Sequence, residues 1–413
     1  MSTKPPQDVR MTGFVSRKSF REVRDFIQQS VTHGPAESVP VRRANNRVLA
    51  EDVVSPVNVP YFDRSAMDGY ACRAEETSGA TDYSPLYFKL IGETLPGQPF
   101  EGEVGKNEVV KIMTGGEIPT GANAVMMAEY TQEDGERVRF TQQVPPGKNV
   151  MRTGEDISVG DVVLQQGRRL RPQDLGVLAS VHQGQVKVVQ SPTVAIIPTG
   201  SELVEPDSEA AGTRIVDSNS YLLQGLVELY GGTPIFKGIQ QDDYETIKAA
   251  IQNADEDIVV LSGGTSVGEE DFAPQVIHEL GQLDLHGVSM KPGSPFGMGR
   301  TGEQLVCLLP GSPVAAFVTG DAFLGSIIRR RLGQDVGFAY RKVRGKLDQK
   351  IVSSIGRTEF VRIQIQSDFT ISKLRVSGAG ILTSTTRADG FLIVDEELEG
   401  YPEGAVVDVY AYD

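Results

Sequence analysis

At 413 residues the chain is too long for one ordinary hydrophobic core, so about two to four domains are expected. A hydrophobic fraction of 39% beside 23% charged residues is that of a globular protein, and 45 glycines without a repeating period indicate tight turns rather than collagen or disorder. The net charge of −15 sets the surface against nucleic acid. The sequence has no apolar run near the roughly 18 residues that cross a bilayer, and MSTKPPQDVR carries no signal-peptide core, so no membrane partner and a cytoplasmic location are expected.

In chain order, residues 16–30 read as an amphipathic helix with Phe20, Val23, Phe26 and Ile27 on one face and Ser16 or Ser19 as N-cap. From about Pro40 to Val150 the text becomes short apolar pieces broken by proline and glycine, which predicts an all-β module inserted in the first domain. The pattern changes at residue 193. TVAIIPTG, TPIFKGI, DIVVLSGG and QLVCLLPG read as strands, alternating with helices at NSYLLQGLVELYGG, DDYETIKAAIQNA (capped by Asp242 or Asp243) and APQVIHELG. That alternation predicts an open parallel α/β sheet. Arg329, Arg330 and Arg331 suit the last turn of a helix, where they complement its dipole. From Lys342 onward KVRGKL, TEFVRIQIQ, KLRVSG, GFLIVDEE and VVDVYAYD predict a small β-domain. Two distant cysteines, Cys72 and Cys307, and four scattered histidines predict neither a disulfide framework nor a zinc site.

In open α/β sheets, ligands bind beyond the carboxyl ends of the strands, where helix N-termini present unpaired N–H groups. Three such ends carry polar, glycine-bearing loops here. IIPTGSELVEP presents Glu202 after the Thr199–Gly200 turn; LSGGTSVGEEDF offers Ser262, Gly263, Gly264, Thr265 and Ser266 as a backbone N–H nest, with Asp271 at the next helix start; LLPGSPVAAF places Ser312 at an N-cap and Pro313 at N1. Each alone has a plainer reading: a glycine turn after a strand is commonly a connection, and a carboxylate at a helix start is commonly a cap. Together they describe an anion site in which carboxylates need a divalent cation to bridge them to phosphate, so magnesium is expected. Two loops of the β-module, VPYFDRSAMDGYACR and VVKIMTGGEIPTGANAVMMAE, read either as turn-rich connections or as a substrate-contacting lid.

SAMDGYA, IMTGGEIPTGANAVM, GEDI, IPTGSELV, SGGTSVGEEDF, KPGSPFGMG and LPGSPVAAF, in this order from about Phe20 to the C-terminus, resemble the molybdopterin molybdotransferase (MoeA) family, which includes the gephyrin E domain. The resemblance implies a multidomain α/β plus β fold. Its parts are a discontinuous helical/β linking and dimerisation domain (1–60 and 147–190), an inserted β-domain (61–146), a molybdopterin-binding-type open α/β domain (191–341) and a small C-terminal β-barrel (342–413). It further implies a homodimer whose cleft lies between the α/β domain of one subunit and the inserted β-domain of the other. The family's functional carboxylates and hydroxyls fall on Asp68, Thr114, Asp156, Glu202, Asp242 and Asp271, with Glu202, Asp242 and Asp271 as the implied magnesium ligands. Lys291 matches a lysine that looks toward the anionic ligand, and Arg357, Ser294, Ser312 and residues 262–266 complete the expected substrate contacts.

The implied reaction inserts molybdate into adenylylated molybdopterin with release of AMP. Implied partners are the adenylyltransferase of the preceding step and the enzymes that accept the cofactor. The chain departs from the family's usual K-P-G-K-P at Ser294 and from its usual P-G-N-P-V-S at Ser312 and Ala315; the first change removes a positive charge from the expected molybdate pocket. Two other readings compete: a gephyrin-like scaffold that binds peptides without catalysis, and a pterin- or nucleotide-binding enzyme of a related step. The carboxylate set has no evident use in a scaffold, because unpaired buried carboxylates cost stability. The simpler adenylylating relatives consist of the α/β domain alone, without the SAMDGYA and IMTGG segments.

Overall fold

The computed structural model describes residues 17–208, 212–264, 272–374 and 380–412. The chain forms two units, one of residues up to 37, 46–48 and from 188 onward, the other of residues 38–45 and 49–187.

The first unit is built on a six-stranded sheet in the order Thr233–Phe236, Thr193–Pro198, Ile258–Ser262, Gln304–Leu309, Gly297–Thr301, Gln282–His286. Its central strands are almost continuously apolar and buried, as strands covered on both faces must be. The first four run parallel. The last two are antiparallel, which corrects the all-parallel expectation. Only Gly302 and Glu303 separate Thr301 from Gln304, and so tight a link forces the chain to reverse, with Gly302 in the left-handed region at φ 64°.

The helices fall in the expected segments, except that the first begins at Phe20 rather than residue 16, because Lys18–Ser19 pairs as a strand. Phe20–Ser30 is closed by a reciprocal capping box between Ser19 and Glu22, and it buries Phe20, Val23 and Ile27. Asn219–Tyr230 stops at Gly231, which takes φ 94°. The cap of Tyr244–Gln252 is Asp243, whose side chain accepts from Thr246 N, so Asp242 stands outside the helix. Ser312 is the N-cap of Pro313–Thr319, with Pro313 in the first turn. That helix continues through a π-turn at Gly320–Leu324 into Gly325–Arg331, whose last turn holds the three arginines.

The π-turn carries a buried acid, Asp321, 3% exposed, which accepts hydrogen bonds from Tyr230 Oη (2.7 Å) and Tyr340 Oη (3.0 Å). Burial pushes its carboxyl up to about 7, against the opposing pull of the two hydroxyls. A folded-state value above the unfolded one means that the native state holds the proton more tightly. The stability that Asp321 contributes is therefore fully present below about pH 4 and is lost as pH rises through about 7. Asp321→Asn is expected to flatten the dependence of melting temperature on pH between about 5 and 8 and to exceed the parent in stability at pH 8. Parallel slopes for the two proteins in thermal melts would show that Asp321 does not titrate there.

The rest of this unit is a closed five-stranded barrel. Thr358–Ile365 pairs with both Thr370–Lys373 and Gly390–Val394, and Arg341–Leu347 and Val406–Ala411 complete the ring. A strand at Thr370–Lys373 puts Ile371 in the barrel core; of the segment KLRVSG expected as a strand, residues 375–378 lie outside the described residues. Val288–Lys291 extends the same sheet, parallel to Thr358–Ile365, with Lys291 opposite Glu359.

In the second unit a six-stranded sheet runs in the order Ala124–Met127, Gly69–Cys72, Glu108–Ile112, Leu86–Thr94, Arg137–Phe140, Thr131–Asp134. Tyr70, Cys72, Phe88, Val109, Met126, Val138 and Phe140 form its core. Gly69 is required by close approach: a Cβ there would sit 1.9 Å from the Met126 carbonyl oxygen. No helix among the described residues is long and apolar enough to cross a membrane.

Candidate active site

Register decides where the first unit does its chemistry. Pro198 stands opposite Ser262, and Ser262 opposite Leu309, so the carboxyl ends of three neighbouring strands are level and their loops meet at one edge. Between them is a cleft of about 490 Å³ lined by Thr199, Glu202, Asp217, Asn219, Asp242, Ser262, Gly263, Gly264 and Ser312, among others. Residues more than a hundred positions apart thus share one cavity, as the loop chemistry predicts.

The floor of the cleft is backbone. Gly263 and Gly264 take φ 111° and 56°, conformations open to glycine and strained for most other residues. A Cβ on Gly263 would meet the Thr199 carbonyl oxygen at 2.3 Å, and one on Gly264 would meet Asp242 Oδ1 at 2.6 Å. The turn therefore lies directly on Thr199 and Asp242. Thr199 is 3% exposed, and its Oγ1 has no hydrogen-bond partner among the described residues. Thr265, Ser266 and Asp271, which were expected to complete the nest and the carboxylate set, lie outside the described residues.

A second cavity of about 440 Å³ adjoins the first, sharing Pro295, Pro310 and Ser312 with it. It is lined by Lys291, Ser294, Ala315, Arg357, Arg362 and Lys373, and by Glu359. Glu359 Oε1 pairs with Lys291 Nζ at 3.1 Å, a consequence of their facing positions on parallel strands, and its other oxygen accepts from Ser353 Oγ. Ser294 Oγ donates to Val288 O at 3.0 Å, so the hydroxyl ties its own loop and turns only lone pairs outward. Ser312 makes no capping bond with its side chain, which leaves the hydroxyl at the junction of the two cavities.

The second unit brings together Asp68 and Thr114. Strands Gly69–Cys72 and Glu108–Ile112 are antiparallel with Gly69 opposite Ile112, so the residue before one strand lies near the loop after the other. Thr114 donates both its N–H and its hydroxyl to Asp68 Oδ1, each at 2.7 Å. These bonds, the backbone one first, hold the Asp68 carboxyl below its ordinary range. Asp156 is exposed in a turn, its N–H bound to Val59 O, and among the described residues no hydrogen bond joins it to that pair. Asp63, in the same loop as Asp68, is occupied by Arg152 and Thr153.

Asp217 and Asn219 escaped the sequence reading. Asp217 is 2% exposed and accepts from the N–H groups of Asn219 and Ser220, while Asn219 donates to Ser262 Oγ and Gly311 O. The signal was present in VDSNSYLL, but Asp-Ser-Asn before an apolar run reads as an ordinary helix cap.

Comparisons with known proteins give the family. The chain matches the MoeA N-terminal region (domain I and II) over residues 18–182, the probable molybdopterin binding domain over 195–330, and the MoeA C-terminal region (domain IV) over 344–412. It is 36% identical to a molybdopterin biosynthesis protein of Methanocaldococcus jannaschii, over 95% of each chain. The chain belongs to the MoeA family. Among other relatives, the molybdopterin molybdenumtransferase of Haemophilus influenzae is 33% identical over 90% of this chain and 93% of its own. A crystal structure of a molybdopterin biosynthesis MoeA protein from Pyrococcus horikoshii superposes with a TM-score of 0.84 at 36% identity, covering 96% of this chain and 100% of that one. The multidomain MoeA architecture, with its open α/β domain and small C-terminal barrel, is thus the fold of this protein.

Magnesium is an oxygen-seeking cation, and the cleft offers it an all-oxygen set: the Glu202 and Asp242 carboxylates and the unpartnered Thr199 hydroxyl. Among the described residues no group of three or more His, Cys, Asp or Glu side chains stands close enough to hold a metal. The donors present fit a cation that keeps several waters and is completed by substrate phosphate.

Proposed function

We propose that this MoeA-family chain is a molybdopterin molybdenumtransferase, inserting molybdate into adenylylated molybdopterin with release of AMP during molybdenum cofactor biosynthesis. The observation that carries this reading is the pair of joined cavities: one combines carboxylates with a backbone turn suited to phosphate, the other is rich in lysine and arginine and suits an oxyanion. Two negatively charged reactants can then lie side by side on a protein that is itself negative. Glu202 and Asp242, with Asp271 as the third expected ligand, would hold magnesium, which when bound neutralises phosphoanhydride charge.

The chain's own groups do the positioning. The Gly263 N–H is taken by Leu309 O, so the Gly264 N–H is the one assigned to the phosphate, and the Ser312 hydroxyl stands where the two cavities meet. Lys291 and Arg357 supply the charge that holds molybdate while the dithiolene sulfurs replace its oxygens. Asp68, kept ionised by Thr114, and Asp156 are assigned to the same reaction from the second unit. A homodimer is part of the proposal, as are a cytoplasmic location, substrate delivered by the preceding adenylyltransferase, and transfer of the product to cofactor-accepting enzymes. The test is direct: purified protein with magnesium and molybdate should consume adenylylated molybdopterin and release AMP. Binding without turnover would favour a scaffold.

Ser294 yields a further expectation for the oxyanion cavity. Its hydroxyl is engaged with Val288 O, so a lysine at this position adds one positive charge to those of Lys291 and Arg357. Ser294→Lys should tighten molybdate binding by about three- to tenfold, the worth of one partly exposed charge. Unchanged affinity in calorimetry would mean that Lys291 and Arg357 already saturate the oxyanion.

A further inference from the structure

Three loops meet in the carboxylate cleft, and something must set their spacing. Backbone bonds hold the strand ends: Thr199 N–H donates to Ser262 O and Gly263 N–H to Leu309 O. Beyond those points the two loops stay close, an added Cβ on Gly311 lying 3.6 Å from Gly263 Cα, and the side chain of Asn219 ties 262–264 to 310–313. Its Nδ2 donates to Ser262 Oγ and to Gly311 O, both at 2.9 Å. The amide orientation follows from chemistry, because a carbonyl oxygen such as Gly311 O can only accept.

Asn219 is itself fastened from behind. Asp217 Oδ1 accepts its N–H at 3.0 Å and that of Ser220 at 3.1 Å, and Asp217 Oδ2 accepts the Ser220 hydroxyl. Three donors occupy this buried carboxylate, so Asp217 serves the helix start. Meanwhile Asn219 Oδ1 is buried with no hydrogen-bond partner among the described residues. An orphaned buried acceptor forfeits its hydrogen bonds to water and gains none in return. A residue needed only for packing would be apolar and avoid that cost, so the amide is kept for its two donated bonds.

We propose that Asn219 is a positioning residue of the cleft: its amide sets the separation of the 262–264 and 310–313 loops, and through it the cleft's affinity for the phosphate end of the substrate. This rests on the reading of the cleft as a phosphate site, and AMP with magnesium is the probe. Wild-type protein that binds no AMP in calorimetry would remove that reading itself. Given wild-type binding, Asn219→Ala should weaken AMP by about tenfold or more through lost preorganisation. Asn219→Asp should match that loss at pH 8, where a carboxylate cannot donate to Gly311 O.

Burial beside the Asp217 carboxylate raises the introduced carboxyl above the ordinary carboxylate range, so as pH falls toward 5.5 it regains a donor proton. The ratio of wild-type to Asn219→Asp affinity should then shrink, while the ratio for Asn219→Ala stays constant. Should Asn219→Ala fail to fold, Asn219→Ser carries the test; it can serve one partner but not both and should give an intermediate loss. AMP affinities within twofold of wild type would overturn the proposal, as would equal losses in the alanine and aspartate variants that do not respond to pH.

Discussion

Glu202→Gln and Asp242→Asn are each expected to lower AMP release by about a hundredfold or more while leaving the protein folded, because each removes a negative charge that the magnesium–phosphate complex needs. Glu202 is exposed at the mouth of the cleft, so its amide should leave stability nearly unchanged. Asp242 is half-buried against the Gly264 turn, and its substitution should cost somewhat more in melting temperature. AMP binding with magnesium should weaken in both variants, while molybdate binding in the adjoining cavity should not. Full AMP release by both would show that the catalytic carboxylates lie elsewhere.

Gly263→Ala should be nearly as damaging, through the backbone. A methyl group at φ 111° would stand 2.3 Å from Thr199 O, and no side-chain rotation relieves a clash with a carbonyl oxygen. The turn must move, loosening the Gly263 N–H to Leu309 O bond (3.2 Å) and displacing the Gly264 N–H assigned to the phosphate. We expect AMP affinity to fall by about ten- to a hundredfold and stability by about 2 kcal/mol or more. Gly135→Ala is the control: its φ of 60° is also left-handed, but nothing lies within 4 Å of the added carbon. It should cost about 1 kcal/mol and leave AMP binding intact. Equal effects of the two substitutions on AMP would show that strain, not the geometry of the 263–264 turn, is being measured.

Much of the site was legible because strand-to-loop junctions announce themselves. A buried strand needs an unbroken apolar run, and the polar glycine turn that follows must lie at a sheet edge, which is how Glu202, Ser262 to Gly264 and Ser312 were found. Asp242 against Asp243 was not decidable, since either aspartate can cap a helix; the fold gives the cap to Asp243 and leaves Asp242 to the cleft. Asn219 was hidden for a related reason, because its two partners are 43 and 92 residues away. The antiparallel edge of the sheet was missed too, since QLDLH and GMGRT are short and only partly apolar.

By itself the amino-acid sequence determined the element types, the α/β segment and its flanking β regions, the MoeA resemblance, and the residue types available for phosphate and oxyanion chemistry. Those depend on periodicity, turn residues and local order, which act over a few positions. Tertiary structure alone decided which of those residues meet. The levelling of Pro198, Ser262 and Leu309 and the pairing of Lys291 with Glu359 follow from strand register, and the bridge made by Asn219 joins its helix to residues 43 and 92 positions away. Register is settled by the packing of the whole core, and no local window of sequence contains it.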